Sequence, residues 1–483
     1  MEKNKLLKIG IVSLIILSFI LYLYYFLTTK NQALWWDEAE YMLKAKSIAT
    51  NTPDTGFWEG RPILFSVILA GLLKIGFSEV SIKFLIILTA VLTIGLVYVF
   101  GKKLFNAQIG LIAAGLYAGF YLSIFYSMRI MVDVPHLAIG LAGIICFLSG
   151  KKNLVWLSLP LISLATLIRF PSFLFAIVLA LYIFATEGIA CLKKKDYWIS
   201  AALGILIALP YLIWSKIKFG SALHAINVAG SGATEGITFS SAFSILKQYL
   251  LTFPGYLGVI LSVIFAVQFI SIFLKTTIGL DLIVKRKSPE LNKNLLLILL
   301  VIVPLFYFSF RVSHYEDRYL LSAFPAIFCC IALGISAIHK MLLKKLTGRI
   351  ALTIIILIIL IGVFQLLRHS NEITILSKDS YRTIKESGIW LKEHSKEKDI
   401  IITKSVPQTT YYSERRAYSF SNNEDEFKGN ISEINPQYIV ISVFEKYPPW
   451  AYSADFQLAY NLTVVKVFAI NNQPALIIYE TRR

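Results

Sequence analysis

The sequence predicts a polytopic α-helical membrane protein, with about eleven transmembrane helices, further interfacial helices and a small C-terminal α/β extracytoplasmic domain. Three observations predict this. First, the 483 residues are 57% hydrophobic and only 16% charged, with a mean hydropathy of +0.68, which a soluble globule with a polar surface could not sustain. Second, apolar runs of about 20 residues, the length that crosses a hydrocarbon core, recur from Leu7 to Arg368 and then cease. Third, the net charge of +18 is unevenly placed: residues 1–370 hold 33 Lys+Arg against 15 Asp+Glu, whereas 371–483 hold 14 of each. The basic excess belongs to the membrane part, so it does not imply nucleic acid as a partner.

That excess sits in short turns between apolar runs: Lys102-Lys103, Lys151-Lys152, Lys193 to Lys195, Lys285 to Lys287, and Lys340 to Arg349. Basic turns of this kind mark the cytoplasmic side. The spans then run roughly over 7–27, 80–101, 108–127, 133–150, 154–169, 171–192, 197–215, 247–274, 295–311, 319–338 and 350–368. Residues 62–76 are apolar but short for a crossing, and counting them would break the alternation of basic turns. They are expected to form a helix along the outer interface. The N-terminus is thereby cytoplasmic, and the loops 28–79, 128–132, 216–246 and 312–318 face outward. Cys146, Cys191, Cys329 and Cys330 fall in or beside predicted spans without metal-ligand spacing, and read as small apolar residues with no disulfide framework.

The chain divides into a membrane domain, 1–370, and a C-terminal domain, 371–483. The latter opens with an amphipathic helical stretch, Tyr381 to His394, and continues with β-branched runs at 399–403, 437–444, 464–470 and 475–480. Two acceptor sequons, Asn430-Ile-Ser and Asn461-Leu-Thr, agree with an extracytoplasmic placement.

The first outer loop carries the sharpest motif, Trp35-Trp36-Asp37-Glu38-Ala39-Glu40-Tyr41. It can be read as interfacial tryptophans followed by acids at a helix start. Ala39, Met42, Leu43 and Ala49 share a helical face, predicting an amphipathic helix flat on the membrane. Further along stand Arg61-Pro62, the run Ser127-Met-Arg129-Ile-Met-Val-Asp133-Val-Pro135, Thr166-Leu-Ile-Arg169-Phe-Pro171, Phe219-Gly220, and Glu316-Asp317-Arg318-Tyr319.

In order and topology this set is similar to the GT-C glycosyltransferases, and most to the dolichyl-phosphate-mannose protein mannosyltransferases and the undecaprenyl-phosphate aminoarabinose transferases that modify lipid A. The resemblance implies the GT-C fold and transfer of a sugar from a polyprenyl-phosphate donor, dolichyl or undecaprenyl, to a protein, lipid or glycan acceptor on the outer face. A polyprenyl phosphate is already a good leaving group, so such an enzyme needs a base for the acceptor and cations for the released phosphate. The resemblance makes Asp37 that base and gives Glu38 an orienting or acceptor-binding role. Arg61 takes the position of the cation that grips the donor phosphate, and a guanidinium suits bidentate phosphate binding.

Arg129, Arg169 and Arg318 lie at outer span ends and are the other phosphate candidates, with snorkelling as the alternative for each. Asp133, His224 and Tyr319 are candidates for acceptor or sugar contact, although Asp133 could simply cap a helix. Asp133 and His136 have a spacing that can hold a metal, yet a core or interfacial histidine is the better reading. Gly60 stands where lipid A transferases often carry an acid, and the first loop has no Asp-x-Asp. No cofactor is required on this reading, and a divalent metal is not expected. A lipid-linked-sugar transporter or flippase, or a polymer ligase, is the rival; transporters keep ionisable groups at the bilayer midplane, whereas these lie in outer loops and at span ends.

Overall fold

A computed structural model describes residues 2–234, 236–284, 288–453 and 455–481; the predicted basic turn Lys285 to Lys287 lies outside the described residues. The chain forms two compact units. The first comprises 1–28, 59–62 and 83–375, and the second 29–58, 63–82 and 376–483.

The first unit is helical. Among the described residues eight helices are long and apolar enough to cross a membrane: Lys5–Thr29, Glu79–Leu104, Phe170–Lys193, Lys195–Phe219, Val259–Ile278, Pro289–Arg311, Asp317–Leu342 and Gly348–Leu376. The chain is a multi-pass membrane protein. The pair Ala107–Ala118 and Tyr121–Ser127, bent by 57°, adds a ninth, and the shorter apolar helices Asp133–Leu148 and Lys152–Ile168 occupy the two remaining predicted spans. Gly110 lets helix Ala107–Ala118 fold back tightly on helix Glu79–Leu104. A methyl group there would collide with the Tyr98 carbonyl oxygen, so the two backbones meet as small residues allow.

The expected single span at 247–274 is instead two helices, Phe239–Leu257 and Val259–Ile278. Gly258 separates them with φ of +76°, a conformation that residues with a Cβ adopt only at a cost. The first of the pair is amphipathic. Its buried residues Ala242, Ile245, Tyr249, Phe253, Tyr256 and Leu257 recur at helical spacing along one face.

The second unit is built on a five-stranded sheet. Its strands are β1 (Ile400–Thr403), β2 (Arg416–Ser419), β3 (Tyr438–Ser442), β4 (Leu462–Ile470) and β5 (Gln473–Thr481), in the order β2-β1-β3-β5-β4. β1 pairs in parallel with β2 and β3, while β5 is antiparallel to β3 and β4. Helix Val406–Ser413 leads from β1 to β2, and helix Glu424–Ile434 from β2 to β3. One core gathers Phe420, Phe427, Ile439 and Phe456; another, including Ile384, Leu391, Ile401 and Val440, ties helix Arg382–His394 to the sheet.

Most of the predicted loop 28–79 belongs to this unit. Helix Trp36–Thr50 packs on helix Leu64–Lys74 and on helix Val406–Ser413. Its residues Ala39, Met42 and Leu43 are buried by protein, so the apolar face expected to lie flat on lipid is spent on packing. Helix Leu64–Lys74 has 11 residues, about 16 Å at the α-helical rise and too short to cross a hydrocarbon core. It buries Phe65, Ser66, Leu69 and Ala70 and exposes Val67 and Ile68.

Candidate active site

Asp37 is the second residue of helix Trp36–Thr50, entered from an extended Trp35. A carboxylate here is favoured by the partial positive charge of the helix N-terminus. Glu38, 1% exposed, reaches back so that its Oε2 accepts from the Trp35 backbone N–H at 2.9 Å, the reciprocal half of a capping box. Trp36 Nε1 donates to Glu40 Oε1 at 2.9 Å. Asp37, by contrast, is half-buried. Glu38 thus has a structural task in capping the helix.

Four of the predicted residues gather in the first unit. Asp133 is fully buried and opens helix Asp133–Leu148. Arg169 closes helix Lys152–Ile168 in an extended conformation, which turns its side chain out of the helical path, and its guanidinium pairs with Asp133 Oδ1. The same guanidinium lies 5.7 Å over the ring of Tyr319. Tyr319 stacks on Phe308 at 4.8 Å, and its hydroxyl is 2.9 Å from His314 Nε2. Glu316 receives Arg318 Nε and, at 3.6 Å, His314 Nε2. Asp317 accepts hydrogen bonds from Tyr121 at 3.1 Å and Tyr126 at 3.3 Å, and Tyr249 donates to the Glu316 carbonyl at 3.1 Å. Asp133, Arg169, Arg318 and Tyr319 therefore form one chain of polar and ring contacts. Arg169 and Arg318 are both engaged by carboxylates, so an incoming phosphate would have to share or displace those partners.

The other candidates have surroundings of their own. Arg129 is buried, its guanidinium 4.5 Å over the ring of Phe125. His224 stacks on Phe219 at 4.2 Å, with its Nε2 3.3 Å from a Glu59 oxygen; Gly220 provides the left-handed turn between them. Arg61, partly buried, follows two residues after Glu59 in the short segment 59–62 of the same unit. His136 shares a hydrogen bond with Ser172 Oγ through Nδ1 at 2.9 Å, as a core histidine does. Among the described residues no three His, Cys, Asp or Glu side chains are arranged to hold a metal ion.

Sequence reasoning missed Tyr121 and Tyr126. Tyrosines inside apolar runs read as core or interface residues, and their partner Asp317 lies 196 and 191 positions away. Ser172, the partner of His136, was equally silent.

Residues 60–214 match the family model described as dolichyl-phosphate-mannose-protein mannosyltransferase. Among solved structures, the chain is similar to ArnT from Cupriavidus metallidurans bound to undecaprenyl phosphate, with 12% identity, a TM-score of 0.66 and 97% of each chain covered. It is also similar to the Archaeoglobus fulgidus oligosaccharyltransferase tethered to an acceptor peptide with the NVT sequon, with 14% identity, a TM-score of 0.63, and 98% of this chain and 74% of that one covered. The archaeal oligosaccharyltransferase AglB from Archaeoglobus fulgidus with an inhibitory peptide and a dolichol-phosphate matches at 13% identity and a TM-score of 0.61, over 92% of this chain and 70% of that one. No curated protein sequence matches the chain significantly. The fold is that of the GT-C glycosyltransferases, as the order of its motifs suggested.

Proposed function

We propose that this chain, which has the GT-C fold along nearly its whole length, is an inverting glycosyltransferase. It moves a hexosyl or pentosyl group from a polyprenyl-phosphate carrier to a protein, lipid or glycan acceptor on the outer face of the membrane. The observation that carries this is the fold match over 97% of both chains to a protein that holds undecaprenyl phosphate. A second matched protein holds dolichol-phosphate, so the shared ligand chemistry is a polyprenyl monophosphate.

In the proposed reaction Asp37 takes the proton from an acceptor hydroxyl or amine. The oxygen or nitrogen forms a bond to the anomeric carbon from the face opposite the phosphate. The bond from that carbon to the phosphate oxygen breaks, and polyprenyl phosphate leaves with the electron pair. Arg61 is the cation assigned to the departing phosphate. Arg129, Arg169 and Arg318 serve donor binding, and Asp133, His224 and Tyr319 serve sugar or acceptor contact. No cofactor is assigned. Asp37 is half-buried in the first turn of its helix, where the partial positive charge of the N-terminus favours a carboxylate, and this supports giving it the base role. The N-terminus is assigned to the cytoplasm and residues 371–483 to the outside, following the basic turns.

Purified protein in lipid, incubated with radiolabelled polyprenyl-phosphate sugars and an acceptor extract, should transfer label from at least one donor, and mass analysis of the product would identify the acceptor. Transfer from none of the polyprenyl phosphates, with transfer from a nucleotide sugar instead, would overturn the reading.

A further inference from the structure

We infer that the C-terminal sheet region is the platform that orients Asp37, with Tyr412 and Glu414 as positioning residues; this rests on Asp37 being the base. The residues that precede Asp37 are tied one after another to residues from beyond position 376, all within the second unit. Gln32 Nε2 donates to the Ser377 carbonyl at 2.5 Å. The Leu34 backbone N–H donates to the Tyr412 hydroxyl at 2.9 Å, a buried contact between residues 378 positions apart. The Trp35 ring meets the Tyr381 ring edge-on at 5.8 Å. Asp37 stands three residues after the Leu34 anchor, on a helix whose first turn is stiffened by the Glu38 cap.

The far half of the same helix is clipped as well. Lys46 Nζ lies 2.6 Å from Glu414 Oε1 and 4.8 Å from the centre of the Tyr411 ring, and Lys392 holds the other Glu414 oxygen at 2.8 Å. Tyr411, Tyr412 and Glu414 all come from helix Val406–Ser413 and its C-cap. That helix is seated on helix Arg382–His394 at Gly388, where an added methyl would collide with Tyr412 Cβ. Both ends of the Asp37 helix are therefore referenced to one buried element. A base contributes only when it is held within hydrogen-bond reach of the proton it removes, and small misplacements of reacting groups cost rate steeply. The contacts from Tyr412 and Glu414 fix the position of Asp37 while touching no reacting atom.

The test is a double-mutant cycle in the full-length protein in lipid, with melting checked for every variant. Tyr412→Phe keeps the ring and removes the hydroxyl that accepts from Leu34. It should lower kcat about 10-fold, in line with misplacement of a reacting group, and leave the donor KM within about 2-fold. In an Asp37→Asn background the same change should cost less than about 2-fold, because nothing remains to be positioned. Equal losses from Tyr412→Phe in both backgrounds, or an unchanged kcat, would overturn the inference while leaving Asp37 as base. An Asp37→Asn enzyme of near wild-type activity would sink the base assignment and the inference with it. If Tyr412→Phe fails to fold, Glu414→Gln, which releases Lys46, supplies the same cycle with the same expected non-additivity.

Discussion

Arg169, at the end of one helix, closes an ion pair on Asp133, the first residue of another, and the carboxylate of that pair is fully buried. The pair brings two predicted residues together across 36 positions of chain. It also changes what Arg169 has to offer a donor phosphate, since much of its charge is already answered.

Removing one member of a buried ion pair leaves the other uncompensated, at a cost of about 3–5 kcal/mol. Asp133→Ala and Arg169→Ala should each lower the melting temperature of the purified protein clearly. The double variant Asp133→Asn/Arg169→Gln, which leaves no stranded charge, should melt well above either single one. Thermal unfolding followed by intrinsic fluorescence would check this, and a double variant that melts no higher than either single one would argue against a buried pair.

Topology is testable without any assay of activity. In a variant with Cys146, Cys191, Cys329 and Cys330 replaced, single cysteines at Ser240 and Ser453 should react with a membrane-impermeant maleimide in intact cells. One at Lys193 should react only after permeabilisation. The reverse pattern would place the proposed site in the cytoplasm.

How far the sequence disclosed this structure depended on the kind of signal. Crossing helices were legible because twenty apolar residues have few alternatives in water, and four of the five strands were legible because β-branched runs stand between polar turns. β2, Arg416–Ser419, was missed because it is a four-residue edge strand with a polar sequence. The break at Gly258 was overlooked although Pro254, Gly255 and Gly258 all fall inside the predicted span. The partnership between helix Trp36–Thr50 and residues beyond 376 was illegible for a different reason. Helical periodicity marks an apolar face but not whether lipid or protein covers it. Among the candidate residues, Asp133, Arg169, Arg318 and Tyr319 were each singled out from motif order, while the contacts joining them are long-range and leave no local pattern.

Glu414 gives the second unit a defined response to acid. Burial would raise its carboxyl, but hydrogen bonds and charge from Lys392 and Lys46 overcome that and hold it below the usual value of 4.5. A carboxyl lowered on folding adds stability above its unfolded value, and that contribution is lost as pH falls through the folded value. Melting temperature should therefore fall as pH drops below about 4.5, and Glu414→Gln should show a shallower fall over that window. Identical pH profiles for the two proteins would mean that the Lys46–Glu414–Lys392 cluster is not coupled to folding.

If Arg61 stabilises the phosphate as it departs, Arg61→Ala should lose about 2–4 kcal/mol of transition-state stabilisation, as for a strong oxyanion donor. Arg61→Lys should recover part of it, because a point charge replaces a bidentate fork. Arg169→Ala and Arg318→Ala should act mainly on donor KM if these residues hold the donor equally in the ground and transition states. Steady-state kinetics on these variants separates the roles; an unchanged kcat/KM for Arg61→Ala would move the phosphate grip elsewhere.

The most direct measurement is the release of free polyprenyl phosphate from a polyprenyl-phosphate sugar in the presence of acceptor, followed by chromatography for the wild-type protein and Asp37→Asn. Release should keep step with sugar transfer in the wild type and fall by about 100-fold or more in Asp37→Asn, as when a positioned base is removed. Sugar transfer without release of polyprenyl phosphate, or release by Asp37→Asn within a few-fold of the wild type, would contradict the proposed reaction.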